Sequence, residues 1–308
     1  MYNNDMVSVI IPAYNSEKWI VQAIKSVLEQ TYNLTEIIII DDGSIDNTKK
    51  VLKKYIDDNL IKYFYQKNSG ASIARNKGIE KSIGRYIAFL DADDYWAKDK
   101  LKKQIFEMSK DKSAICIGNT LVVNESNKSL FKIENSFSKS KEIMMKNIYL
   151  SKVISITPSI IVDKNIISEK LTFNTALTHR EDSLYVLTII NKYKFCYLNE
   201  ILFYRREHDN SLRNSLNFKT TILNSFKFMK IAEKEIPMLT MFHNELKAET
   251  LLNAAKQTLA LKNFEKSKKL SILSFKLLPN NKALLLYLAS LLKLDFELLK
   301  KIYRKFKK

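Results

Sequence analysis

The sequence predicts an α/β fold, a mainly parallel sheet with helices on both faces, followed by a separate all-helical region. Three observations carry this prediction. Short β-branched runs alternate with helical patterns through the first hundred residues, acidic and aromatic residues cluster directly after those runs, and from Phe218 onward the pattern is helical throughout. With 308 residues, 46% of them hydrophobic, the chain is long enough for about two domains. The boundary is expected between residues 216 and 217. Five glycines and four prolines leave no material for low-complexity linkers.

Val7 to Ile11 reads as a buried strand. Glu17 to Gln30 then sets Ile20, Ala23, Ile24, Val27 and Leu28 on one helical face. Ile37 to Ile40 is the second strand, and Ser44 to Asp58 is a helix with Val51, Leu52, Tyr55 and Ile56 as its apolar stripe. A strand from Ile61 to Tyr65, a helix from Ala71 to Ser82, a strand from Tyr86 to Leu90 and a helix from Lys98 to Ser109 continue the alternation. Further strand-like runs at Ala114 to Ile117, Ile160 to Val162, Phe195 to Leu198 and Ile201 to Tyr204 are expected to extend the same sheet. Glu249 to Leu261 and Phe264 to Leu277, joined at Lys262-Asn263, resemble a single tetratricopeptide-type hairpin. One such unit is too few for a solenoid.

Ligands of open α/β sheets bind beyond the carboxyl ends of the strands, so the residues there matter most. They are Pro12-Ala13-Tyr14-Asn15, Asp41-Asp42-Gly43-Ser44 and Asp91-Ala92-Asp93-Asp94. Asp91 and Asp93 stand two apart, which in extended backbone points both carboxylates the same way. Such a pair repels itself unless a hard cation such as Mg2+ or Mn2+ lies between, although a solvated turn with helix-capping aspartates would have the same sequence. Asp42 could accept hydrogen bonds from a base or ribose, or form a turn. Tyr14 could pack on a base or in the core, and Arg75 could meet a diphosphate or water. His179-Arg180-Glu181-Asp182 and Tyr204-Arg205-Arg206-Glu207-His208 are two further charged clusters.

The net charge of +18 favours a polyanionic partner. Nineteen basic and seven acidic residues between Phe218 and Lys308 supply +12 of it. The leucines of Leu284 to Leu292, continued at helical spacing by Phe296, Leu299 and Ile302, run beside the lysines of a tail ending Arg304-Lys305-Phe306-Lys307-Lys308. This pattern suits an anionic membrane surface or a helix docked on the rest of the protein. Cys116 and Cys196 lie in apolar runs with no CxxC spacing and only three histidines in the chain. That argues against a zinc site and for buried thiols in a reducing compartment. The opening residues lack a signal peptide's basic region, and the longest apolar run is too short to span a bilayer. A cytoplasmic protein, at most peripheral to a membrane, is expected.

Taken together, SVIIPAYN, EIIIIDDGSIDNT, NSGASIARNKGI, YIAFLDADDYW, the Arg-Glu-Asp segment and YRREH resemble, in order and spacing, the family 2 glycosyltransferases, over residues 7 to about 211. The resemblance implies the GT-A fold and an inverting enzyme that takes a nucleoside-diphosphate sugar, UDP-linked, and extends a glycan or lipid-linked saccharide with help from Mn2+ or Mg2+. It also implies that Pro12, Ala13 and Tyr14 border the base and Asp42 bonds to it. Asn68 and Arg75 would line the donor pocket. Asp93 would be the direct metal ligand, Asp91 would lie nearer ribose and diphosphate, and Asp182 would be the general base. His208 stands one residue later than the family's Tyr-Arg-x-His spacing, and its contact with metal or phosphate is an expectation of the same kind.

Two other readings compete. A nucleotidyltransferase of sugar-nucleotide synthesis shares the sheet and the metal, but PAYNSEKW is neither glycine-rich nor basic as a phosphate loop should be. A nucleic-acid-binding protein would match the charge, but the lysines follow helical faces without an RNP, zinc-finger or Gly/Arg pattern. No nucleic-acid partner is therefore expected.

Overall fold

In a computed structural model of the chain, residues 3–133, 135–169, 171–208 and 218–294 are described. Two compact units emerge, Met1–Ser211 and Leu212–Lys308.

The first unit is a nine-stranded sheet in the order β3-β2-β1-β4-β8-β6-β9-β5, with β7 paired to β6. Its opening half is the expected βαβ run. It comprises β1 (Asn3–Ala13), α1 (Ile20–Leu28), β2 (Thr35–Asp41), α2 (Thr48–Asp57), β3 (Lys62–Tyr65), α3 (Ala71–Lys81) and β4 (Gly84–Phe89). All pairings among these four strands are parallel. The Ile37–Ile40 run of β2 is buried on both faces, as continuous apolar strands of a helix-covered sheet must be. Helix α1 turns Ile20, Ala23, Ile24 and Val27 into the same core.

The second half departs from parallel order. β5 (Tyr95–Trp96), α4 (Lys100–Asp111), β6 (Ile115–Val123), β7 (Ser129–Ile133), α5 (Lys141–Tyr149), β8 (Ile160–Asp163), α6 (Glu181–Lys192) and β9 (Phe195–Arg206) follow. Here β8 lies antiparallel between β4 and β6, while β6 and β9 are parallel. The sheet is therefore mixed, where a mainly parallel one was expected. The two short strands expected at 195–198 and 201–204 are one strand with register shifts in its pairing to β6. Cys116 and Cys196 are register partners across β6 and β9, both buried as free thiols.

Helix α3 carries almost no apolar stripe. It seats on the sheet because Gly78 lets its backbone approach, since a Cβ there would lie 2.3 Å from Ile10 Cγ2. That close seat aims Arg75, one turn earlier, at the carboxyl rim of the sheet.

The second unit holds α7 (Phe218–Glu235), a 3-10 turn (Pro237–Phe242), α8 (His243–Ala260), α9 (Phe264–Leu277) and α10 (Asn281–Leu291). Leu252, Ala255, Leu259, Ala283, Leu286 and Ala289 form its separate core. Phe296, Leu299, Ile302 and the terminal lysines fall outside the described residues.

Candidate active site

The rim is assembled from strand ends. Ala13 closes β1 and is buried, while Tyr14 just beyond it is 50% exposed, a flat ring left facing solvent. Pro12 precedes them at the half-buried edge. After β2, the buried Asp42 uses its carboxylate on the loop that enters α3. Oδ1 accepts from Gln66 Nε2 at 2.7 Å and Ser69 N at 2.8 Å, and Oδ2 accepts from Gly70 N at 2.8 Å. Asp42 thus builds the wall on which the exposed Asn68 stands. The φ of +83° at Gly43 belongs to the same fit, because a Cβ there would come within 2.7 Å of Asn68 N.

Arg75, on the first turns of α3, joins two carboxylates. Its Nη2 donates to Asp91 Oδ1 at 2.8 Å and its Nη1 to Glu181 Oε1 at 3.2 Å, while the guanidinium lies 5.5 Å from the Phe173 ring. Asp91 and Glu181 raise its pKa despite burial, so the group stays a cation. Its Nε is buried without a protein acceptor. Burial raises the Asp91 carboxyl above its ordinary range; Arg75 opposes that shift and Asp93 adds to it.

Asp93 faces His208, with Nε2 3.0 Å from Oδ2, and this contact raises the imidazole pKa. The one-residue offset of His208 therefore does not keep it from the acidic turn. Behind them Asp94 is buried and accepts from Arg206 N at 2.8 Å. Burial and then Asp93 and Asp91 hold its carboxyl well above the carboxylate range.

Asp182 opens α6 beside Glu181. Burial, then Glu181, pushes its carboxyl up to about 7. Its Oδ1 accepts from Ser183 N at 2.6 Å, and no protein donor to Oδ2 is found among the described residues. Arg75 lies within electrostatic reach of both Asp182 and Asp91, so one guanidinium links the acidic rim to the Glu-Asp pair.

Arg206 is a residue that sequence reasoning registered only as part of a charged cluster. Its Nε donates to Asp93 O, Nη1 to Glu125 O and Asn127 Oδ1, and Nη2 to Gln22 Oε1, with the Trp19 ring 4.1 Å away. It pins the backbone of the acidic turn. Its partners lie 79 to 184 positions away in the chain, so no local pattern announces the role.

The residues present suit a hard divalent cation. Among the described residues no three His, Cys, Asp or Glu side chains converge on one point. Asp93 and His208 supply a paired oxygen and nitrogen, with Asp91 adjacent in the turn and its charge disfavoured by Asp93. Few protein ligands and a shell completed by phosphate oxygens and water are what Mg2+ and Mn2+ take when they bind with a nucleotide.

Comparison with known proteins identifies the family. The profile described as "Glycosyl transferase family 2" matches residues 8–169, just over half of the chain. An uncharacterized glycosyltransferase of Rickettsia conorii is 52% identical over 103 residues, which are 33% of this chain but 17% of that protein, so the chain spans well under two thirds of that relative. WfgD of Escherichia coli, named UDP-Glc:alpha-D-GlcNAc-diphosphoundecaprenol beta-1,3-glucosyltransferase, is 31% identical over 185 residues, 60% of this chain and 70% of WfgD. Among solved structures, residues 1–349 of S. aureus TarS in complex with UDP-GlcNAc superpose with a TM-score of 0.66 at 18% identity, covering 92% of this chain and 91% of that one. That last likeness shows the fold alone. The chain belongs to glycosyl transferase family 2, and its first unit has the GT-A fold.

Proposed function

We propose that the protein is an inverting glycosyltransferase that moves a sugar from a UDP-sugar to a hydroxyl of a lipid-linked saccharide at the cytoplasmic face of a membrane. One observation carries this reading: Arg75 ties Asp91 of the acidic turn to Glu181, the neighbour of a carboxyl poised near neutrality. The UDP assignment draws on the nucleotides named for WfgD and TarS, and the acceptor class on the diphosphoundecaprenol named for WfgD.

The base of the donor would lie against Pro12, Ala13 and the exposed ring of Tyr14, with Asp42 using its remaining lone pair there. Asn68 forms the edge of that pocket. The unpartnered Nε of Arg75 is a buried donor awaiting an acceptor, and a diphosphate oxygen would satisfy it. Asp93, His208 and Asp91 would hold the divalent cation, which supplies charge neutralisation for the departing diphosphate when bound. Asp182 takes the proton of the acceptor hydroxyl as the oxygen attacks. A carboxylate of pKa near the working pH, within ~3 Å of that hydroxyl, suits this step. Attack from the face opposite the leaving group inverts the anomeric centre.

The test is a pair of variants. Asp182→Asn should abolish transfer while leaving UDP-sugar binding within a few fold, and transfer at the wild-type rate would place the base elsewhere. Asp93→Ala should remove the Mn2+ dependence of UDP binding, and a wild type that binds UDP equally well without metal would overturn the ligand assignment.

A further inference from the structure

The last helix of the second unit buries mostly small residues and turns five leucines outward. On α10, Ala283, Leu286, Ala289 and Ser290 are buried, while Leu284, Leu285, Leu288, Leu291 and the C-capping Leu292 are between 37% and 65% exposed. At 100° per residue these five leucines fall on one continuous arc of the helix surface, opposite the packed face. The packed face itself uses short polar side chains. Ser267, Ser271 and Ser274 of α9 are fully buried, Ser274 Oγ donates to Ala248 O at 2.8 Å, and Ser290 Oγ meets Ser267 Oγ at 2.8 Å. A helix that meets its neighbours through two alanines, a serine and one leucine and turns out five leucines has most of its apolar surface arranged for a medium other than water.

Charge identifies that medium. Residues 261–294 carry seven lysines and one glutamate, and Lys269, Lys276, Lys282 and Lys293 are exposed on and beside the two helices. No helix among the described residues is long and apolar enough to cross a membrane. An apolar helix face flanked by lysines, too short to span, has the chemistry of a segment lying in the plane of an anionic bilayer.

We propose that the leucine arc of α10 docks on an anionic lipid surface, with Lys276, Lys282 and Lys293 at the level of the headgroups. The inference deepens the reading above by naming the surface that holds the enzyme beside a lipid-linked acceptor. It rests on that reading for its purpose but not for its physical case.

Sedimentation of the full chain with vesicles tests it. Phosphatidylcholine vesicles containing about one third phosphatidylglycerol should pellet the protein, and pure phosphatidylcholine vesicles should pellet far less. The triple variant Leu284→Gln/Leu288→Gln/Leu291→Gln should lose about tenfold or more of its partitioning, because the apolar burial is removed. Lys276→Gln/Lys282→Gln/Lys293→Gln should lose about fivefold for each lysine. In a second measurement, Leu291→Cys carrying an environment-sensitive fluorophore should shift to the blue with the anionic vesicles.

Equal pelleting of wild type and leucine variant, or a fluorophore that does not respond, overturns the proposal. So does a wild-type dimer that the leucine variant makes monomeric without any vesicle binding, since the face would then join two copies of the chain. Metal-dependent UDP binding in detergent solution should be unchanged in the leucine variant. Its absence from the wild type would fault the glycosyltransferase reading and leave the vesicle result standing.

Discussion

A carboxyl with a pKa near 7 leaves a signature in two measurements. Asp182 is pushed up to about 7 by burial and by Glu181, against an unfolded value of ~3.9. Between those two values the folded chain binds the proton more tightly than the unfolded chain does. The stability it confers is therefore full below about pH 4 and is lost as pH rises through 7. Asp182→Asn removes this loss, so the variant should melt above wild type at pH 8, with the gap closing as the pH falls toward 4. Activity should run the other way in the wild type: kcat/KM should fall below pH 7 as the base becomes protonated. A flat profile from pH 5 to 8 would show that Asp182 is not the titrating group. Arg206 makes a different kind of prediction, because its planar fork serves four acceptors at once. Arg206→Lys keeps the charge but cannot reproduce that fork. Urea denaturation should show a loss of about 1–3 kcal/mol, because the buried side chain gives up hydrogen bonds that a single ammonium cannot all make. UDP titration with Mn2+ should show weakened binding because the acidic turn is no longer pinned at Asp93 O. Wild-type affinity in the lysine variant would limit Arg206 to stability.

The seat of α3 on β1 couples packing to the site. Gly78→Ala places a methyl 2.3 Å from Ile10 Cγ2, so the helix must rise and take Arg75 with it. Overpacking of this kind costs about 1–3 kcal/mol. Ile10→Ala opens the space, so the double variant should be less destabilised than the sum of the singles, and UDP affinity should recover with it. Simple additivity would mean that the glycine is not there for the approach. The same contact marks the limit of what the sequence discloses. Continuous isoleucine runs such as Ile37–Ile40 and the stripe of α1 state their environment locally, and those elements lie where the periodicity predicts. β5 is two residues long, and β7 exposes all but Ile133, so neither has an apolar pattern to read. α5 lies in a stretch where no element was expected. The motif-bearing rim residues were legible because each follows a strand. Arg206, by contrast, acts through partners from three distant segments, which only folding brings together.

Across the whole molecule, chemistry and surface belong to different cores. Every residue proposed for donor, cation and proton, from Pro12 to His208, lies in the unit Met1–Ser211, whose core is formed by β1, β2, β4 and the helices around them. The leucine arc and most of the net charge lie in the other unit, held by Leu252, Ala255, Leu259, Ala283, Leu286 and Ala289. A core of that first unit's length buries enough surface to be stable alone. A chain ending at residue 211 should therefore fold, and it should bind UDP with Mn2+ within a few fold of the full protein by calorimetry. The same truncated chain should lose pelleting with anionic vesicles, and transfer to a bilayer-embedded acceptor should fall much further than UDP affinity does. The physical reason is effective concentration: an enzyme held at the surface meets a lipid-linked acceptor in two dimensions, whereas one free in solution must find it by diffusion. If the truncated chain folds but no longer binds UDP, the donor pocket depends on the helical unit, and the division of labour between the two cores fails.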